Sequence, residues 1–219
     1  MKNDGDKSVK TRGRPRSFDR DEALERAMEV FWRQGYEATS LTDLTAAMGI
    51  NPPSLYAAFG DKERLFLEAV ERYESCHRGS AAGGCMFGEE PTARGAIERV
   101  LRDAVDELAK PGQPRGCMLM MAATNCSAES IQEALAERRA ESKALIKKRI
   151  AMGVADGELA PGTDAGALAE FYTTVLAGMS MQARDGATRK SLEATAAAAM
   201  RAWPQPATPR AKRRVARAA

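Results

Sequence analysis

Apolar residues along this chain return at three- and four-residue spacing, the period of helices with one buried face. Leu24, Ala27, Met28 and Phe31 fall at i, i+3, i+4 and i+7, behind a capping pair Asp19 and Glu22, and Gly35 closes the run. Leu41, Leu44 and Met48 repeat the spacing over a shorter stretch. Ser40 and Asp43 fit a capping signal at its start, and Gly49 permits the positive φ that ends a helix. Asn51 then caps a second short helix from Pro52 to about Phe59, a proline being harmless where the N–H has no helical partner. Leu55 and Phe59 point inward at i, i+4, and Pro53, Ser54, Tyr56, Ala57 and Ala58 face out. Ile50 anchors the turn, Gly60 ends the helix, and Asp61 caps the next, whose first turn carries Lys62.

Helical faces continue from Asp61 onward, without strand alternation and without a nucleotide-binding glycine loop. Leu65, Phe66, Ala69, Val70 and Tyr73 form one, and a loop follows at about Gly79–Pro91. Ile97, Val100, Leu101, Ala104, Val105 and Leu108 form the next, before a break at Lys110–Arg115. Gly116–Cys126 reads as a short apolar helix and Ala128 to about Asp156 as a long amphipathic one ending at Gly157. Two further stripes close the chain. They are Leu168, Phe171, Tyr172, Val175, Leu176 and Met179, then Leu192, Ala196, Ala199, Met200 and Trp203. The pattern predicts an all-α protein. A flexible basic arm covers 1–17, a three-helix helix-turn-helix domain 18–62, a larger helical domain 63–204, and a basic tail 205–219.

Charge distribution adds what periodicity cannot. Net charge is only +3 over 219 residues, of which 44 % are hydrophobic, enough for a real core. Residues 10–16 nevertheless hold four positive charges and no negative one, and residues 210–219 hold five and none, so the body between is acidic. A charge run most often means a solvated tail. Arg12, Arg14 and Arg16, kept extended by Gly13 and Pro15, stand directly before a helix-turn-helix, where such a strip fits the narrow, negative minor groove. A short helix with small side chains fits a major groove about 12 Å wide. Tyr56 and Lys62 are placed to touch phosphates, with Ser54, Ala57 and the edges of Pro52 and Pro53 nearer the bases.

The run GRPRSFD, then EALERAMEVFWRQGYEATSL, then DLTAAMGINPPSLYAAFGDKERLF resembles the DNA-binding domain of the TetR family of bacterial transcriptional regulators over about Gly13–Ala69. That resemblance implies an all-helical homodimer with a divergent ligand-sensing domain. It also implies DNA contacts from the positions of Thr39, Ser54, Tyr56 and Lys62, with Ser40 completing the candidate set. Pro52-Pro53 stands where the family often has Ser-x-Gly. The family builds its dimer from the last two helices as a four-helix bundle, which points to Phe171, Val175, Met179, Leu192, Ala196 and Met200; the alternative is that both stripes serve the subunit's own core. Two helix-turn-helices reading a palindromic operator require a two-fold axis.

Candidate chemistry is sparse. Met118 and Met121 are expected to line a ligand pocket, methionine adapting to irregular cavities, although a methionine cluster also serves plain core. Cys117 follows a Pro/Gly loop beside Arg115 near a helix N-terminus, features that favour a thiolate, and its segment resembles a TetR subgroup with a reactive cysteine; the alternative is a small buried hydrophobe. If Gly116–Cys126 is one helix, Cys117 and Cys126 lie about 13 Å apart in rise on opposite faces, which excludes a bridge. Cys76, His77 and Cys85 lack a fourth ligand and any zinc spacing, so neither metal nor cofactor is expected. His77 is the only histidine and no catalytic constellation surrounds it, so no enzyme is expected. Without a signal-peptide core or an apolar run of membrane length, and with four cysteines, the expected compartment is the cytoplasm. The function expected is a DNA-binding repressor relieved by an unidentified small molecule or electrophile. The rival is a nonspecific architectural DNA binder using both basic ends.

Overall fold

The computed structural model describes residues 18–77, 90–122 and 126–204, all of whose regular structure is helical. The basic arm with Arg12, Arg14 and Arg16, the tail 205–219, Cys85 and most of the expected 79–91 loop lie outside the described residues. The helices are α1 (Arg20–Gln34), α2 (Leu41–Met48), α3 (Pro52–Phe59), α4 (Lys62–His77), α5 (Ala93–Leu108), α6 (Met118–Met121), α7 (Glu129–Ala155), α8 (Ala165–Arg184) and α9 (Arg189–Arg201).

Local chemistry sets the first four. The Asp19 carboxylate accepts from the Asp21 and Glu22 amides at the start of α1. Ser40 and Asp43 form a reciprocal capping box on α2, and Asn51 Oδ1 accepts from Ser54 N at 2.9 Å on α3. Asp61 Oδ1 accepts from Arg64 N at 2.8 Å on α4. Gly49 sits at φ 67°, ψ 29°, the left-handed conformation in which a side chain is strained, and this tight stop lets α3 leave α2 at an angle.

Two hydrophobic cores result. The first joins α1–α4, centred on Phe31, Leu44, Leu55, Leu65 and Phe66, with Phe31 and Phe66 edge to face at 5.1 Å. It also takes in Met118, Leu119, Ala122, Cys126, Ile131 and Leu135, so α6 and the start of α7 belong to it. The second joins α5, the far half of α7, α8 and α9 around Ile97, Leu101, Ile146, Ile150, Tyr172, Met179 and Trp203. Burial alone pushes the Tyr172 hydroxyl up to about 12, and it remains a donor, to the Ala199 carbonyl at 3.3 Å. The helix α7 therefore runs from one core into the other, with its buried residues along one face.

The segment Gly116–Cys126 does not form one apolar helix. Among its described residues only Met118–Met121 are helical. The neighbouring backbone groups are taken by α1: Trp32 Nε1 donates to Gly116 O at 2.7 Å, and Tyr36 N donates to Ala122 O at 2.8 Å. Cys117 and Cys126 thus do not share a helix, and both are free thiols.

Candidate nucleic-acid interface and the cavity behind it

Helix α3 is eight residues long with a divided surface. Leu55 and Phe59 are buried, Ser54 and Ala58 half-buried, and Pro52, Pro53, Tyr56 and Ala57 exposed. Tyr56 is 49 % exposed, one of few large apolar side chains turned to solvent. Such an outward face carries no packing duty. Lys62 sits at the start of α4 with its ammonium 4.4 Å from the centre of the Tyr36 ring, a cation–π contact that restrains its stem. Arg20 stacks on Phe59 at 4.4 Å while it pairs with Glu68 at 2.5 Å, bracing the inner side of α3.

Two of the candidate contacts have hydroxyls already engaged within the protein. Thr39 is 1 % exposed and its hydroxyl donates to Gly35 O at 2.6 Å, so its side chain secures the α1–α2 turn. Ser40 is exposed, but its hydroxyl is engaged with Asp43, which it both caps and contacts at 2.7 Å. The two Ser40 hydrogen bonds, the side-chain one first, hold the Asp43 carboxyl below its ordinary range.

Behind this unit lies a cavity of about 440 Å³ among α4, α5, α6, α7 and α8. Cys117, Leu119 and Met120 face it; Met118 and Met121 do not. Four consecutive residues in a single turn point around the whole circle, and Met118, 0 % exposed, turns into the first core. Cys117 is half-buried, receives the Tyr73 hydroxyl at 3.5 Å, and donates its backbone N–H to Ser180 Oγ at 2.7 Å. Burial, then the Cys117 sulfur, pushes Tyr73 well above the ordinary phenol range, so it stays protonated. Sequence reading missed Tyr73, Arg139, Lys143, Glu170 and Ser180 on this wall. The available signal was Ala136 and Ala140 beside Arg139 and Lys143, two small residues one turn apart in a charged helix.

One segment touches both sites. Residues 116–122 line the cavity on one side, while Trp32 and Tyr36 grip them from the other; Ser127 adds two bonds to Glu37, from its N–H at 3.0 Å and its hydroxyl at 2.9 Å. At the far end, Met179, Leu192 and Met200 are buried in the subunit's own core, because α5 and α7 cover that side of α8 and α9. Of the six interface candidates, Phe171 is 41 % exposed and Val175 and Ala196 are half-buried. Met181 on α8 is 46 % exposed and lies off the predicted stripe. Among the described residues no cluster of potential metal ligands occurs, and no helix is long and apolar enough to cross a membrane.

Comparisons with known proteins agree with this architecture. Residues 23–69 match the profile described as bacterial regulatory proteins, tetR family, and residues 91–200 that of the tetracyclin repressor-like C-terminal domain. The HTH-type transcriptional repressor ComR of Escherichia coli (strain K12) is 36 % identical over 198 residues, spanning 90 % of this chain and 94 % of ComR. The repressor BdcR of the same organism is 31 % identical over 193 residues, spanning 88 % of this chain and 93 % of BdcR. Among solved structures, a cysteine mutant of the TetR family regulator CifR complexed with 26bp double-strand operator DNA superposes with a TM-score of 0.82 at 47 % identity, covering 87 % of this chain and all of that one. Both halves of the fold and nearly its whole length are accounted for, and the chain belongs to the TetR family of bacterial transcriptional regulators.

Proposed function

We propose that this chain is a cytoplasmic, homodimeric repressor that binds a palindromic operator through α3 and is released by a small molecule in the α4–α8 cavity. The observation that carries the reading is the divided surface of α3, with Leu55 and Phe59 holding it from within and Tyr56, Ala57 and the two prolines left outward. Tyr56 and Lys62 fix register on phosphates, while Ser54, Ala57 and the proline edges meet bases. Phe171 and Val175 supply an apolar face on α8 for a second copy, which sets the two recognition helices one DNA turn apart, about 34–36 Å.

Release follows from the 116–122 segment. A ligand that pushes Leu119 and Met120 outward also loads the Trp32–Gly116 and Tyr36–Ala122 hydrogen bonds, and α1 carries the load to the turn before α2. Only a ligand with unequal affinity for the two arrangements does this. Cys117 on the same wall is the nucleophile an electrophilic inducer meets. The test is fluorescence anisotropy on the duplex upstream of the chain's own gene, against a scrambled duplex, at rising salt. Binding that survives competitor and collapses on Lys62→Ala supports the reading. Equal, steeply salt-dependent binding to that duplex and to a genomic operator-selection pool favours the architectural alternative.

A further inference from the structure

We infer that the α4–α8 cavity takes an uncharged, predominantly apolar small molecule, because its charges cancel and most of the polar groups of its wall already have hydrogen-bond partners within the protein. This rests on the reading of the cavity as the effector site and specifies its ligand. The volume, about 440 Å³, falls in the range of small-molecule sites, about 300–1,000 Å³. Much of the lining is aliphatic, with Leu108, Leu119, Ile146 and Leu176 around the adaptable Met120.

The wall's charged residues are Glu107, Arg139, Lys143 and Glu170, which sum to zero. Lys143 Nζ pairs with Glu170 at 2.7 Å where both are well exposed, so this ion pair sits at the rim. Arg139 turns back to donate to the Leu119 carbonyl at 2.7 Å, and Glu107 also has partners of its own. Most of the wall's hydroxyls are engaged as well. Tyr73 donates to the Cys117 sulfur, Ser180 receives the Cys117 N–H, Ser142 donates to Arg138 O at 3.0 Å, and Thr173 donates to Ala169 O at 2.8 Å. A formally charged ligand would lose its hydration here and displace an existing bond to regain a partner, which is costly in an apolar surround. A neutral ligand forfeits far less hydration than an ion and gains by burying apolar surface.

The exposed Ala136 and Ala140, one turn apart on α7, put only methyl groups on this part of the wall, so a bulky side chain at either position would fill the space. The experiment is isothermal titration calorimetry on the full-length protein without DNA, using three probes of one shape: naphthalene-2-methanol, 2-naphthoate and 2-naphthylmethylammonium. The alcohol is expected to bind at least tenfold more tightly than either ion, and Ala140→Phe is expected to abolish its binding while the melting temperature reports an intact fold. Ala136→Phe serves as the second plug. Tighter binding of 2-naphthoate would assign Arg139 as an anion site and overturn the inference, as would absence of saturable binding by the alcohol or binding indifferent to both plugs. Failure of the effector reading looks different: the alcohol binds, the plugs block it, and operator affinity is unchanged at saturation.

Discussion

The two working surfaces of this molecule are built on opposite plans. On α3 the outward side chains of Pro52, Pro53, Tyr56 and Ala57 are exposed among the described residues, and a rigid local frame holds them ready for an external partner. In the cavity wall most of the polar groups already have partners within the protein, leaving shape and apolar area to do the selecting. A surface that must read a polyanion keeps its donors uncommitted, whereas one that must admit a neutral molecule and then relax is better lined with groups that are already satisfied.

The sharpest way to break this contrast is to remove the frame. Phe31 is fully buried between Phe66 and Tyr36, and Phe31→Ala is expected to cost about 3–5 kcal/mol in urea denaturation, with operator binding lost alongside. Next comes Tyr56→Ala, which should leave stability within about 0.5 kcal/mol, as exposed substitutions do. Its operator affinity should fall at least about tenfold, roughly 1.4 kcal/mol; a stability loss instead would show that α3's outer face has a packing duty. Trp32→Phe keeps the ring against Tyr73 but removes the bond to Gly116 O, and about 1 kcal/mol of stability should go with it. Hydrogen exchange in 116–122 should quicken in that variant while α3 stays protected.

The smallest effect belongs to Glu37. Hydrogen bonds from Ser127, the backbone N–H first and then the hydroxyl, lower its carboxyl below the ordinary range. The folded state therefore gains from this tether above the ordinary carboxylate value and loses it as pH falls through the lowered one. Glu37→Gln should flatten that acid limb of the stability profile in thermal melts, and an unchanged limb would show that the tether carries no linkage.

Legibility in the sequence followed the reach of the interactions. The frame of α2 and α3 was readable because Ser40, Asp43, Gly49, Asn51 and Pro52 act within four residues of themselves. The α6 segment was not, since the groups that cut it short are Trp32 and Tyr36, more than eighty residues away. For the same reason Met120, and not the expected Met118 or Met121, lines the cavity: composition marks a methionine cluster, but only the neighbours decide which member faces a void. Thr39 shows a different limit, as its hydroxyl is satisfied by the turn it helps to form. The apolar stripes of α8 and α9 were found correctly, yet a stripe does not declare whether α7 or a second copy will cover it. Met179, Leu192 and Met200 are buried within the subunit itself.

The continuity of α7 has a mechanical consequence. At 27 residues it is a rod about 40 Å long, seated by Ile131 and Leu135 at one end and by Ile146 and Ile150 towards the other. A tilt of about 5° about one seat moves the opposite tip by roughly 3 Å, comparable to the rise of two residues. The rod therefore acts as an amplifier: a displacement too small to break any packing at the cavity becomes, at its end, a shift large enough to change which atoms meet.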